Sequence, residues 1–192
     1  MIWFIFELVS RRWKMALAVI CICGIAMGLV YPVVALWNKT EGIPSVDQLT
    51  LDGTQYYKAV WPDQMQAVEW LKQAPLGVMV EAVADTGGSY TTYASVSTFS
   101  GMPTVLGWIG HEAQWRGGYL EMGSRQNDIR TLYSTHDWQE AKAILDKYQI
   151  KYVYVGDLEI RTYALDESKF QEHLQLVFDS PGARIYAYTT GQ

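Results

Sequence analysis

The stretch KYVYVGD, Lys151 to Asp157, decides the fold of this chain of 192 residues. Its alternating tyrosines and valines have strong β propensity, and the run reaches Gly156, where a loop is expected. A short run of β-branched and aromatic residues is typical of a buried strand. We therefore predict a strand here, and the neighbouring segments indicate what packs against it.

A helix is predicted immediately before this strand. THDWQEAKAILDKYQ, Thr135 to Gln149, has helical spacing, with Asp137 placed to cap its N-terminus. Its apolar residues fall on one face: Trp138, Ala141, Ile144 and Leu145. After the strand, LQLVFDSPGARIYAYTT predicts two more strands joined at Ser180-Pro181-Gly182.

The preceding segments continue this alternation of helices and strands. WPDQMQAVEWLKQ (61–73) and QNDIRTLYS (126–134) have helical spacing, whereas GVMVEAVA (77–84) and PTVLGW (103–108) are extended and apolar. Such alternation predicts an α/β fold with one mixed, mainly parallel sheet and a C-terminal β-hairpin. We expect a single domain over residues 61–192.

An apolar run near the N-terminus predicts a transmembrane helix. Met15 to Trp37 are 23 residues without a charge, enough at about 1.5 Å per residue to cross a hydrocarbon core of roughly 30 Å. Arg11, Arg12 and Lys14 flank its N-terminal side, which the positive-inside rule places in the cytoplasm. The rest of the chain is then expected outside the cytoplasm, at the cell membrane. A cleaved signal peptide is the competing interpretation, but the run is long for one.

We therefore expect a membrane segment over residues 1–37, a linker over 38–60 and an extracytoplasmic domain over 61–192. The first nine residues, MIWFIFELV, are themselves apolar, as the end of a preceding membrane segment would be. This favours a piece of a longer multi-pass protein, and a short N-terminal anchor is the alternative.

Charge and cysteine content exclude some classes of function. From Asn38 onward there are 12 Lys and Arg against 19 Asp and Glu, a net charge of −7 that argues against nucleic acid as a partner. Both cysteines, Cys21 and Cys23, lie in the apolar run, so the exterior domain has no disulfide framework. Aromatic residues make up 14% of the chain, which is rich for a cytosolic domain. Such a content is more usual in proteins whose surfaces contact sugars, lipid headgroups or other proteins.

The common catalytic motifs do not fit this sequence. His111-Glu112 resembles the start of a zinc-binding HExxH helix, but Trp115 stands where the second histidine belongs. The segment TGGS (86–89) lacks the lysine of a phosphate-binding loop, and no GxSxG motif is present. We expect no metal and no cofactor, and the catalytic residues, if any, are unknown.

The segment GWIGHEAQWRGG, Gly107 to Gly118, is the candidate binding site. Its two indole rings suit the apolar face of a sugar or the edge of a lipid, and its polar side chains can bond hydroxyls or a phosphate. Two further arginines follow closely and could hold an anion with paired bonds. The candidate substrate-binding residues are Trp108, His111, Glu112, Gln114, Trp115, Arg116, Arg125 and Arg130.

We expect His111, Glu112 and Arg116 to line a recess at the C-terminal end of the sheet rather than an open surface. Trp108 and Trp115 would wall this recess, and Arg125 or Arg130 would approach closely enough to share an anionic group with Arg116. The alternative is a scaffold loop, in which the rings are core packing and the charges form structural ion pairs. Tyr90 and Tyr93 fit core or rim packing. Glu159 and Arg161, just after the strand at 151–157, predict a surface ion pair.

Three segments, GWIGHEAQWRGG, SRQNDIRTLYST and KYVYVGDLE, resemble the C-terminal end of the YYY membrane proteins, a multi-pass bacterial and archaeal family. The resemblance covers residues 61–188, with the preceding helix as the last membrane span. That family is similar in turn to polytopic glycosyltransferases that use lipid-phosphate sugar donors.

The resemblance implies an accessory or acceptor-facing domain of a membrane enzyme. Its partners would be membrane lipid, a lipid-phosphate sugar or saccharide, and the remaining transmembrane part of a longer protein. The catalytic acid would lie outside this sequence, so no catalytic residue is assigned by the resemblance. The alternative is a non-enzymatic, membrane-anchored module that binds a polymer or a partner protein.

Overall fold

The structure is a computed structural model that describes residues 11–40, 42, 50–86 and 88–189. The chain divides into two units, Met1–Gly53 and Thr54–Gln192. The apolar segment expected over residues 1–9 lies outside the described residues, as do residues 43–49 of the expected linker.

The first unit contains one long helix, α1, Arg11–Lys39. Its 29 residues reach about 43 Å, more than the roughly 30 Å of a hydrocarbon core. The helix is long and apolar enough to cross a membrane, and none of its residues is buried. An apolar helix that buries nothing differs from a core helix and suggests that α1 anchors the chain in a membrane.

The second unit has eight helices longer than one turn and four strands in its described part. The helices are α2 Thr54–Val60, α3 Pro62–Gln73, α4 Ser95–Ser100, α5 Ile109–Trp115, α6 Arg125–Ser134, α7 Trp138–Tyr148, α8 Asp157–Thr162 and α9 Ser168–His173. The strands are β1 Val78–Val80, β2 Ile150–Gly156, β3 Gln175–Ser180 and β4 Ala183–Ala187, and a short 3₁₀ helix spans Leu120–Met122. Residues 54–60, which we expected to be part of the linker, form α2 and belong to this unit.

The four strands form one mixed sheet in the order β1-β2-β4-β3. β1 and β2 are parallel, whereas β2–β4 and β3–β4 are antiparallel, the latter joined by a turn at Pro181 and Gly182. The α/β fold and the C-terminal hairpin are confirmed. The parallel part is smaller than expected, because PTVLGW contributes only one parallel bridge, between Thr104 and Met79.

Alternate residues of β2 point into two separate cores. Val153 and Val155 pack with α6 and α7 on one side of the sheet, and Tyr152 and Tyr154 pack with α3 on the other. Successive side chains of a strand face opposite sides, so a central strand covered on both faces needs apolar residues at every position. The four residues from Tyr152 to Val155 meet this requirement, which is why this stretch decides the layering.

The ends of the predicted helices follow local chemistry. The Asp137 carboxylate accepts a hydrogen bond from the backbone N–H of Gln139 at 2.8 Å, which confirms its role as the N-cap of α7. Pro62 occupies the first turn of α3, where its missing N–H has no intrahelical partner to lose.

Where β1 ends, side chains rather than a neighbouring strand form hydrogen bonds with the backbone. The register with β2 runs only to Val80. Beyond it, the N–H of Ala82 donates to the Glu159 carboxylate at 2.6 Å, and the N–H of Val83 donates to the Tyr163 hydroxyl at 3.0 Å. A carboxylate at this position satisfies buried donors that a neighbouring strand would otherwise pair.

Glu159 is therefore not the surface partner of Arg161 that the sequence suggested. It is 1% exposed, and its other oxygen accepts from the N–H of Gly156 at 2.9 Å. Arg161 pairs instead with Asp157, at 2.8 Å and in contact with solvent. The prediction was wrong because α8 begins directly after β2 and its first turn faces inward, toward the end of β1.

Burial raises the pKa of Glu159 from its ordinary value of 4.5 to about 7, against the hydrogen bonds from the backbone, which lower it. Below pH 4.5 the carboxyl is protonated in both folded and unfolded chains. Between 4.5 and about 7 only the unfolded chain loses the proton, so the free energy of unfolding falls as pH rises through this window.

We predict that Glu159→Gln flattens the pH dependence of stability between pH 5 and 7. The wild-type decline attributable to this group over these two pH units is about 2 kcal/mol, since each unit contributes at most about 1.4 kcal/mol. The measurement is chemical denaturation of the full chain in detergent micelles at several pH values. Glu172→Gln, at an exposed carboxylate, is the control and should keep the wild-type slope.

If the free energy of unfolding changed equally with pH in the wild type and both variants, the raised pKa of the buried Glu159 carboxyl would be contradicted.

Candidate functional site

A groove of about 750 Å³ lies along α5, in the size range of ligand sites. Its walls come from three segments: the loop before α4, α4 with the residues after it, and α5 itself. The lining residues are Tyr90, Ala94, Ser97, Thr98, Met102, Thr104, Gly107, Trp108, His111, Glu112, Trp115 and Arg116.

The helical repeat places four of the candidate residues on one face of α5. Trp108, His111, Glu112 and Trp115 stand at positions i, i+3, i+4 and i+7, which a helix brings to the same side. All four line the groove. Part of GWIGHEAQWRGG is thus a short helix, Ile109–Trp115, rather than a loop, and the face that carries these four side chains borders the groove.

Aromatic rings surround His111. Its imidazole is stacked on the Trp115 ring, with 5.9 Å between centroids, and meets the rings of Trp108 and Tyr90 at 5.1 and 4.8 Å. Trp108 is half-buried, whereas Trp115 and Tyr90 are 83% and 84% exposed. The groove therefore has a fixed aromatic floor and two aromatic rims open to solvent.

The floor is held by contacts with the loop before α4. The Trp108 indole N–H donates to the carbonyl of Tyr93 at 2.6 Å, and the Tyr93 hydroxyl lies 3.0 Å from that of Thr162. Gly110 permits the close approach of this loop, because a Cβ there would lie 2.9 Å from the Ser89 hydroxyl. Tyr93 is thus a packing residue, and Tyr90 belongs to the groove.

The charged residues at the edge of the groove neutralise one another. Arg116 Nε donates to a Glu112 carboxylate oxygen at 2.6 Å, and its Nη1 lies 3.6 Å from Glu121. The hydrogen bond and charge of Glu112 raise the pKa of the Arg116 guanidinium. The guanidinium of Arg116 therefore already forms ion pairs with two carboxylates of the protein.

The wall opposite α5 depends on a buried carboxylate that the sequence analysis missed. Glu81, 3% exposed, accepts hydrogen bonds from the N–H groups of Val96 and Ser97 at 3.1 and 2.9 Å. These donors open α4, whose residues Ser97 and Thr98 line the groove. Burial raises the pKa of Glu81, and the bonds from Ser97 and Val96 oppose that rise. A lone acidic residue inside the apolar run GVMVEAVA was the available signal.

Thr104 contributes an unusual hydroxyl to the same wall. Its Oγ1 is buried and has no hydrogen-bond partner among the described residues, and the residue lines the groove. Buried hydroxyls are nearly always paired, so this one is an exception in the wall of the groove.

Three of the predicted site residues do not line this groove. Gln114 lies on the exposed side of α5. Arg125 donates to the carbonyls of Glu121 and Met122 at 2.5 and 3.1 Å, and Arg130 is paired with Asp85. The expected sharing of an anion between Arg116 and these arginines is therefore not supported, because the side chains of α6 bind protein groups.

The other histidines lie apart from the groove. His136 bonds Asp166 at 2.8 Å, and His173 stacks on Trp138 with 4.4 Å between ring centroids. Within the described ranges, no group of three or more His, Cys, Asp or Glu residues is arranged to hold a metal ion. The groove's own polar groups suit hydrogen bonding to an organic ligand.

No protein-family model matches the chain, and no curated protein matches it. A solved structure with some likeness is the C-terminal globular domain of an oligosaccharyltransferase from Archaeoglobus fulgidus. It is 9% identical, with a TM-score of 0.41, over 66% of this chain and 97% of that chain. The likeness assigns no role to any residue here, and the resemblance to the YYY membrane proteins is not confirmed.

Two substitutions distinguish a binding groove from a scaffold. We predict that Arg116→Ala leaves the Tm of the full chain within about 2 °C of wild type, because exposed ion pairs contribute little to stability. Glu81→Gln should lower stability by about 1 to 3 kcal/mol, since an amide cannot accept from both N–H groups of α4.

Thermal unfolding in detergent, followed by circular dichroism, measures both. A loss of stability in Arg116→Ala as large as that in Glu81→Gln would mean that α5 is held by its charges and is a scaffold.

Proposed function

We propose that the second unit is the extracytoplasmic, ligand-recognising domain of a membrane glycosyltransferase-like protein. In this proposal the groove along α5 binds a saccharide, free or lipid-linked, and the catalytic acid belongs to another part of the enzyme. The observation that carries the proposal is the arrangement of Trp108, Trp115, Tyr90 and His111 around one recess.

Aromatic rings at a groove edge suit the apolar faces of pyranose rings. Trp115 and Tyr90 present most of their surface to solvent at the two rims, so a sugar can pack on either without displacing protein atoms. Ser97 and Thr98 also belong to the lining, and because both hydroxyls donate to the carbonyl of Ala94, their oxygens remain as acceptors for sugar hydroxyls.

The charge balance favours the neutral sugar over a phosphate as the group bound in the groove. Glu112 and Glu121 already pair with Arg116, and displacing them would leave carboxylates beside an incoming anion. The lipid-phosphate part of a donor would therefore lie outside the groove, with the sugar inside it.

The saccharide site predicts a selective loss of binding in one indole variant. Trp115→Ala should weaken the binding of a neutral oligosaccharide by about tenfold, because it removes the exposed stacking surface. Isothermal titration of the full chain in detergent measures this, with glucose and N-acetylglucosamine oligomers as probes and inorganic phosphate as the anionic probe.

Trp138→Ala is the matched control. Trp138 also stacks on a histidine, His173, but does not line the groove, so its removal should leave binding unchanged in the folded protein. Binding of phosphate alone, or equal losses in both variants, would contradict a saccharide site along α5.

The extracytoplasmic side is tested by labelling. Ser168 is exposed at the start of α9, and we predict that Ser168→Cys, with Cys21 and Cys23 replaced by alanine, reacts with a membrane-impermeant thiol reagent in intact cells. The chain with both alanines and native Ser168 is the control for background. Labelling that requires cell lysis would place the domain in the cytoplasm.

A non-enzymatic binding module is the second candidate. It is favoured by the ion pair between Glu112 and Arg116, because this carboxylate of the groove lining is already bound to a protein group. Saccharide binding by the complete natural protein without any glycosyl transfer would select this candidate.

A further inference from the structure

Three large side chains project from the end of α5 and the turn that follows it. Trp115, Tyr119 and Leu120 are 83%, 68% and 96% exposed; we call them the tip. Tyr119 and Leu120 take no part in either hydrophobic core cluster of the described residues. The exposure of the tip is therefore not a consequence of packing in either core cluster.

The tip is presented by a fixed turn. Gly117, Gly118 and Gly123 have positive φ angles of 75°, 141° and 54°, which glycine adopts without strain. Between them Met122 is buried, and the guanidinium of Arg125 bonds the carbonyls of Glu121 and Met122. Buried and bonded residues thus hold the turn while its apolar side chains face outward.

We propose that the tip inserts into the interface of the bilayer that α1 occupies. Tryptophan and tyrosine are the residues enriched at membrane interfaces, where an apolar ring and a polar edge are both satisfied. Leu120 adds a purely apolar side chain between them. The charges around the tip are mixed, Arg116 and Arg125 with Glu121, so the contact depends on apolar insertion rather than on anionic lipid.

The size of the tip favours lipid over a second copy of the chain. Three side chains expose roughly 500 Å², whereas a stable protein interface buries about 800 Å² on each partner. A lipid interface has no such minimum, because α1 keeps the domain beside the membrane and supplies a high local concentration.

The connection between the two units is long enough for this contact. Fourteen residues separate Lys39 from Thr54, and at no more than about 3.5 Å each they span at most about 50 Å. A domain of this length has a radius of gyration of about 14 Å. Any part of its surface, the tip included, can therefore reach the bilayer.

The inserted tip would bring the groove to the membrane surface. Trp115 belongs both to the tip and to the groove lining, so one rim of the groove would lie at the lipid headgroups. The inference rests on the membrane role proposed for α1 and not on saccharide binding.

The test uses fluorescence quenching in the full chain. Leu120→Cys, in a chain with Cys21→Ala and Cys23→Ala, is labelled with bimane and placed in phosphatidylcholine nanodiscs with nitroxide-labelled acyl chains. Leu76→Cys is the matched control, because Leu76 is 75% exposed and precedes β1. We expect the probe at 120 to be blue-shifted, quenched by the lipid nitroxide and shielded from aqueous iodide, and the probe at 76 to show the reverse.

Adding Tyr119→Asp to the labelled Leu120→Cys chain should reduce the nitroxide quenching and restore quenching by iodide. A probe at 120 as accessible to iodide as the probe at 76 would overturn the proposal. Shielding from both quenchers would overturn it too, by showing that protein covers the tip.

A chain that fails to remain in nanodiscs would remove the membrane role of α1 and this inference with it. Saccharide binding along α5 is measured separately in detergent, so the two proposals fail independently.

Discussion

The rest of the second unit depends on which groups form hydrogen bonds with the buried backbone where β1 ends. The strand pairs with β2 only to Val80, yet the chain stays buried through Val83. The Glu159 carboxylate and the Tyr163 hydroxyl accept the N–H groups that follow, and the Tyr133 hydroxyl bonds the carbonyls of Val80 and Tyr154 at 3.1 and 2.8 Å. Buried backbone groups left unpaired would be costly, so α6 and α8 are fixed to the sheet by these side chains.

The same segment connects the fold to the groove. Glu81 lies between the paired part of β1 and Ala82, and it extends its carboxylate to the first N–H groups of α4. One wall of the groove is thereby attached to the sheet. The other wall, α5, is attached through the Trp108 indole and the backbone of Tyr93. Both walls are thus anchored to buried structure, while the exposed rings of Tyr90 and Trp115 lie at the rims, a combination of rigid support and open surface that suits recognition.

Part of the candidate site could be predicted from the sequence, and part could not. Trp108, His111, Glu112 and Trp115 share a face because helical spacing is a local property of the chain. Their partners are not local. Arg125 and Arg130 lie close to the segment in sequence, but α6 directs them to carbonyls of the preceding turn and to Asp85.

The sequence by itself determined the apolar α1, the capped and amphipathic α7, the doubly buried β2 and the hairpin at Pro181 and Gly182, because each is specified by periodicity, capping or turn chemistry within a few residues. Only the tertiary structure decided that Glu159 is buried. Its bond to Ala82 joins residues 77 positions apart, and no local pattern distinguishes a carboxylate that meets such a donor from one that meets solvent. The groove arises for the same reason, since its walls come from segments brought together by the short β1 and its long-range partners.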